Sequence, residues 1–566
     1  MTDQLPRVVP DLPRPPYLEA YRDPAFQSRV MRISDTPRGE IIKTLYSTVQ
    51  AWNADESRLI LYHSGGADAG HHLYDGRSYE HLMALPFLPS DVEDLFWDPK
   101  RADTLYFVQR RPYGDRFHGK LVAYDIDTGD KRLVADVSRA CGTDNTGVVA
   151  RAGADVHGIS GDYIGLRCDR RAATGGVDDL TFAVNLRTGD IGPRLAIGPG
   201  HAIGGGTDGS LPDIALAALP SDERFLLQGS VYDRNLRFQH RIDRPLRRDA
   251  SSRRVPLVEH DSVGRLNDGH DALFTVQFEP GPAGCGVGTL VAHDLQDRDC
   301  DVLLGPDTGW GYPLSGIHHS ALTTADEGWI ASSIIGYRHL EYLTNGRPAP
   351  TLFSEIVLTS NDPDNPRTCR LAHARSHGKR ARRTARQAYF GEPHPVISPS
   401  GTRVLFSSDW YDSGTVDTFV IDVTAVDGSI ATPRPPPSLS TRVATPDASP
   451  VTDSAEATRE DDVPAGVALS LDRLRYATDV ERIGVSFTDP TAGLIDRVTI
   501  APAGSPDAQV SMWLYTNGTQ RQTLAGPDQG RLTFLRRYLG RGDFEARLFR
   551  KDSAEIVARQ RFSIGN

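Results

Sequence analysis

Three stretches of the chain open alike: His270-Asp-Ala-Leu, His319-Ser-Ala-Leu and His394-Pro-Val-Ile. Each carries a small apolar residue two positions on and Leu or Ile at the third. If each histidine opens the innermost strand of one repeat, neighbouring repeats aim three imidazoles at a single point. Imidazole suits Zn, Mn, Fe or Ni, and three such ligands leave positions open for water or substrate. Gln50, in the next repeat round, is the candidate fourth ligand, although it stands one position out of phase. His318 neighbours His319 and, by strand alternation, is expected to face the other way, toward strand packing. A lone histidine in a strand is usually a structural residue with satisfied nitrogens. The shared register of three is what argues for a metal or a catalytic cluster. His157 opens another copy, across the axis from these three, and is a further candidate catalytic group.

Cations and aromatics crowd the segments expected on the same face. One repeat supplies Arg110, Arg111, Tyr113, Arg116 and His118, and the next supplies Arg167, Arg170 and Arg171. Two others supply Tyr232, Arg234 and Arg237, and Tyr337, Arg338 and His339. Singly these read as solvated loop residues. Together they put a cationic rim on an acidic protein, which focuses an anionic ligand toward the axis. Guanidinium forks match carboxylates at two points, so the expected ligand carries carboxylates or sulfates, with Arg170, Arg237, Tyr337 and Arg338 as binding groups.

The elements that must position these residues are short strands. The first 430 or so residues hold no long amphipathic pattern and instead repeat, with a loose period of roughly 45–60 residues. The unit is a strand, a polar turn, a second strand, a loop, and a third strand ending in an Asp/Gly turn. HPVISPSGTRVLFSSDW from His394 with DTFVIDV from Asp417 is the clearest copy. AWNADESRLILYH from Ala51 and DLFWDPKRADTLYFVQ from Asp94 repeat it, as do copies from His157, Asp213, His270 and His319. Seven copies of about four strands predict an all-β, seven-bladed propeller over 26–431, preceded by an extension over 1–25. Two stacked sandwiches are the alternative. The last copy is one strand short, and Arg29–Ser34 is a spare strand upstream, so it is expected to complete the final blade and close the ring.

Residues 432–465 are rich in Pro, Ser, Thr and acidic residues and cannot bury enough surface to fold, which makes them a linker. Beyond it, 466–566 alternate with period two at Ile483–Phe487, Val498–Ile500, Val510–Tyr515 and Phe544–Phe549, the pattern of a small β-sandwich. The 566 residues carry 63 Lys and Arg against 74 Asp and Glu, a net charge of −11. That balance argues against a general nucleic-acid binder. The basic run Lys379-Arg380-Ala381-Arg382-Arg383 reads as a solvated loop, or as a patch for an anionic polymer. No run approaches ~18 apolar residues, so no membrane span is expected. Nothing like a signal peptide follows Met1, so the expected compartment is the cytoplasm, with a secreted or periplasmic location as the alternative. Five cysteines without CxxC spacing read as reduced thiols and offer no cysteine metal site.

Several of these motifs carry a family resemblance. AWNADESRLILYH, NDGHDALF, SGIHHSAL followed by GWIASS, LFSEIVL and GEPHPVISPSGTRVLFSSDW resemble the seven-bladed polysaccharide lyases, ulvan lyases and oligogalacturonate lyases among them, across most of 40–423. WLYTNGTQ and GDFEARLF in the last segment resemble bacterial immunoglobulin-like accessory domains. The lyase resemblance implies β-elimination at a uronic acid in an acidic poly- or oligosaccharide. It implies a divalent metal (Mn, Ca or Zn) held by His270, His319, His394 and Gln50. By location alone, it assigns His157, Tyr232 and Arg234 as the catalytic His, Tyr and Arg. The chemistry fits that inventory, because removing the C5 proton requires a neutralised carboxylate, a base, and an acid for the leaving O4. The competing readings are a propeller glycoside hydrolase acting next to a uronate, and a non-catalytic glycan- or protein-binding propeller. Oligomeric state is not encoded in these patterns.

Overall fold

Asx turns set the rhythm of the chain. In Asp125-Ile-Asp-Thr-Gly129 the Asp125 carboxylate accepts the backbone N–H of Asp127 and Thr128 at 3.0 and 2.9 Å. Gly129 takes a φ of 78°, which a β-carbon would disfavour. Asn185 to Gly189 repeats the turn. Asp75 and Asp294 cap the same position in two other repeats. Each of these turns joins the third strand of a sheet to the fourth, leaving apolar runs such as Leu121–Asp125 to be buried between them.

A computed structural model describes residues 2–66, 69–86, 95–109, 119–141, 149–151, 159–169, 180–196, 216–227, 229–248, 254–256, 260–314, 316–324, 328–335, 342, 346–377, 389–423, 468–477, 480, 482–488, 496–505, 512–516, 529–536, 539, 541–550 and 556–565. The chain forms two compact units, Met1–Pro433 and Arg434–Asn566. The first is a seven-bladed β-propeller. Its described residues form seven antiparallel sheets of four or five strands, and in all but the last the strands come from one continuous stretch of chain. Blade 1 begins at Ile41–Lys43, blade 5 at Ser262–Arg265, blade 6 at Ile317–Ser320 and blade 7 at Val396–Ile397. A two-stranded ribbon, Leu246–Arg248 with Arg254–Pro256, lies between blades 4 and 5 in sequence.

The ring closes through the N-terminus. Strand Arg29–Arg32 pairs antiparallel with Asp417–Asp422, with Val30 opposite Ile421, and so becomes the fourth strand of blade 7. Ala20–Arg22 adds a fifth outside it. Val30, Ile397, Phe406, Phe419 and Trp410 pack in one apolar cluster, with the Trp410 and Phe419 rings stacked at 5.0 Å. The buried carboxylate of Asp417 accepts hydrogen bonds from Arg32, Ser34 and Thr36 of the closing segment. Residues before it run along the ring, where Trp410 Nε1 donates to the Leu12 carbonyl and the Tyr411 hydroxyl to that of Pro10.

The described residues of the second unit form a small sandwich of a three-stranded and a five-stranded sheet. Ile483, Val485 and Phe487 alternate into its core with Val498, Ile500, Leu532, Phe534, Ala546 and Leu548. No helix among the described residues is long and apolar enough to cross a membrane. The cysteines depart from the sequence expectation. Cys141 pairs with Cys168 and Cys285 with Cys300, both at a Cα separation of 5.5 Å, and Cys369 belongs to neither pair. Their sequence separations of 27 and 15 residues carry no spacing signal, because the sheets bring them together.

Candidate functional site

The first strands of blades 1, 6 and 7 converge toward the propeller axis, and one side chain bridges them. Gln50 of blade 1 donates through Nε2 to the carbonyls of Leu322, just after the inner strand of blade 6, and Ile397 of blade 7. A single amide can touch three blades only where they converge. Its Oε1 accepts the Trp52 N–H within blade 1, so the Nε2 end alone ties this blade to the other two. Both ends of the amide are therefore engaged by backbone groups.

Blades 5, 6 and 7 each deliver one histidine to a common cluster at this axis. His260 precedes the inner strand of blade 5, His318 lies within that of blade 6, and His394 precedes that of blade 7. The His318 ring stacks on His260 at 4.1 Å between centroids and meets His394 edge-on at 4.3 Å. Glu392 Oε2 lies 3.7 Å from His318 Nε2, and both side chains are buried. Ligand atoms of His318, Glu392 and His394 all fall within 4.8 Å of one another. His260 and His394 take φ of 49° and 40°, a left-handed backbone uncommon for residues with a β-carbon.

Aromatic and cationic groups wall the cluster. Tyr46 of blade 1 lies 5.4 Å from His394 and 5.9 Å from His318, and Tyr389 lies 5.0 Å from His394. Lys43, fully buried at the end of the inner strand of blade 1, sits over the Phe390 ring at 5.0 Å. Burial holds the His318 imidazole well below its ordinary 6.5, and the neighbouring His260, His394, His319 and Lys43 press in the same direction. Neither of its nitrogens has a hydrogen-bond partner among the described residues. A neutral imidazole with uncommitted nitrogens, beside a second imidazole and a carboxylate, is a donor set that fits a divalent cation.

Two of the expected ligands stand elsewhere. His319 points into the packing between blades, with Nδ1 2.8 Å from Ser332 Oγ, and burial pushes its pKa down to about 3. The two faces of the His318-His319 doublet are therefore the reverse of the expectation, since a shift of one residue swaps the two faces of a strand. His270 opens the second strand of blade 5, not the first. Its neighbour Asp271 pairs with Arg265, at the far end of the inner strand from His260. At ~3.3 Å per residue that is roughly 15 Å from the cluster. His270 Nδ1 instead lies 2.8 Å from Asp294 Oδ2.

Tyr232, Arg234 and Arg237 also fall away from the cluster. Tyr232 lies in the third strand of blade 4 (Ser230–Asp233), packed near Phe238. Arg234 and Arg237 occupy the exposed turn after it, where Arg234 Nε donates to the Asp222 carbonyl at 2.6 Å. Asp222 belongs to the hairpin turn following the inner strand of blade 4, the end opposite to that of His260 in blade 5. His157, Arg170, Tyr337, Arg338 and the basic run 379–383 lie outside the described residues. Sequence reasoning missed His260, Glu392, Lys43, Tyr46 and Tyr389. Two of these left a signal: Glu392-Pro-His394 sets a carboxylate two residues from an imidazole, and Lys43 ends an otherwise apolar strand.

The sequence matches no protein-family model and none of the curated proteins. Among solved structures, the chain is similar to an oligogalacturonate lyase in complex with manganese, at 14% identity and a TM-score of 0.42, covering 71% of this chain and 95% of that one. An oligogalacturonate lyase from Vibrio parahaemolyticus shows 12% identity and a TM-score of 0.42, covering 72% and 96%. β-Glucosidase 3B from Thermotoga neapolitana, in complex with glycerol, matches 18% of this chain and 16% of its own, at 22% identity and a TM-score of 0.12.

Proposed function

We propose that this protein is a lyase that cleaves a uronate-containing poly- or oligosaccharide by β-elimination at the axial cluster. The observation that carries the reading is the convergence of His318, Glu392 and His394 within 4.8 Å, with His260 stacked against them. The motif resemblance across the blades supports it. Two imidazoles and one carboxylate suit Mn²⁺ or Zn²⁺ better than Ca²⁺, which takes six to eight oxygen ligands. A bound divalent ion supplies charge neutralisation for the uronate carboxylate, which makes the adjacent C5–H more acidic.

The chain's own residues do the rest. Lys43 places an ammonium beside the cluster and binds the substrate's negative charge. The walls made by Tyr46, Tyr389 and Phe390 orient the sugar ring and exclude water. His260, stacked beside the donor set, takes the C5 proton on its imidazole, and the Tyr389 hydroxyl gives a proton to O4 as the C4–O4 bond breaks. A C4=C5 double bond remains, conjugated to the carboxyl group.

That double bond is the test. Manganese-loaded protein incubated with a panel of polyuronates should raise ultraviolet absorbance as chains shorten. His318→Ala and His260→Gln should abolish the rise. New reducing ends without absorbance identify a hydrolase instead, and binding without either product identifies a glycan-binding propeller.

A further inference from the structure

We propose that Cys285, His293 and Cys300 on the outer half of blade 5 form a zinc site that is opened and closed by the Cys285–Cys300 disulfide. His293 lies on the third strand, Gly288–Asp294, and Cys300 begins the fourth, Cys300–Leu304. The two are direct cross-strand partners, which sets their side chains on one face of the sheet. Cys285 stands just ahead of the third strand, its backbone held by Asp243 Oδ2 on the N–H and by Gln277 Nε2 on the carbonyl. Both sulfurs and a ring nitrogen of His293 lie within 4.8 Å of one another.

The histidine separates this pair from an ordinary disulfide. His293 is 1% exposed, and its Nε2 has no hydrogen-bond partner among the described residues. A buried donor or acceptor left unmet is costly, so such a group needs a reason. The nearby guanidinium of Arg244 is neutralised by a two-point contact with Asp261 at 2.7 and 3.0 Å. Cys300 is half-buried and gives an ion a way in. Among the described residues, the other pair, Cys141–Cys168, has no third donor at such a distance.

The chemistry balances as a two-electron exchange. A dithiol reductant gives two electrons to the Cys285–Cys300 bond and leaves as a disulfide, and the two thiols it frees retain two protons. Zinc then displaces those protons to solvent, bound by two thiolates and His293 with water in the fourth position. This proposal is independent of the activity at the axis.

Zinc per chain should be measured on the full protein before and after dithiol reduction, with excess reductant and free metal removed. The axial donors contribute equally to both states, so the difference reads this site. Reduction is expected to add one zinc ion per chain, a gain lost in His293→Ala and Cys300→Ser and kept in Cys141→Ser. Cobalt substituted into the reduced wild-type protein should show a thiolate-to-cobalt charge-transfer band that the oxidised protein lacks. This readout needs no variant to fold. Absence of that band, or a zinc gain that survives His293→Ala, overturns the proposal.

Discussion

His318 and His319 are adjacent in sequence and opposite in consequence. His318 presents two uncommitted nitrogens to Glu392 and His394, whereas His319 spends Nδ1 on Ser332 inside the packing. His318→Ala is therefore expected to remove manganese binding and to lower elimination at least about 100-fold, since even outer-shell changes cost metal sites 10–100-fold. Its melting temperature should fall less than that of the neighbouring variant, because the ring it removes leaves a cavity but orphans no hydrogen-bond partner among the described residues. His319→Ala should do the reverse, costing about 2–3 kcal/mol of stability through a cavity and an orphaned hydroxyl, with metal binding kept. Titration of manganese and thermal melts on the two variants decide it, and equal effects on both would sink the assignment. His394 could be read in the sequence because Pro395 and the run after it fix where its strand begins. The His-His doublet could not, because composition does not say which residue of an alternating strand faces the axis.

Blade 5 shows why element-scale reading found the repeats and misplaced the inner strands. Asp271–Gln277 is buried on every residue and reads as the strongest strand, yet it is the second of its sheet. The inner strand, Ser262–Arg265, contributes four residues with one large apolar side chain, so its periodicity is nearly silent. The closing strand was legible because Arg29–Ser34 had no partner nearby in sequence. Val30 is fully buried in blade 7, and Val30→Asp should cost about 3 kcal/mol or more, read as a lowered unfolding midpoint. Unchanged stability would mean that the ring does not depend on this strand. Blade 1 carries a second consequence. His63 stacks on His72 at 3.5 Å and bonds the Tyr74 hydroxyl at 2.7 Å, while His72 Nδ1 meets His81 Nε2 at 2.9 Å. Burial, then His72, His81 and His71, holds His63 well below 6.5. Below pH 6.5 the unfolded chain binds a proton that the folded blade refuses, so stability falls as pH drops toward the folded value. One such proton contributes at most about 1.4 kcal/mol per pH unit. His63→Gln should flatten that slope in melts taken between about pH 5 and 7, and an unaltered slope would assign it to other groups.

At the scale of the whole molecule, the two compact units bear on how the chain works. Each unit has its own core. Among the described residues, the sandwich core draws on positions between Leu469 and Ile564, and the propeller clusters on none beyond Val423. Every member of the axial cluster, from Lys43 to His394, belongs to Met1–Pro433. A unit with its own core and closed ring needs no second unit to fold, because its strand edges are paired through Arg29–Arg32. A chain ended at Pro433 should therefore fold, bind manganese as the full chain does, and turn over short uronate oligosaccharides within about twofold of it. Calorimetry of the full chain should show two transitions, of which the shortened chain keeps one. A difference confined to long polymers would give the sandwich a role in holding extended substrate. A shortened chain that folds and binds metal yet turns over nothing would place part of the chemistry in Arg434–Asn566, against the grouping of donors seen at the axis.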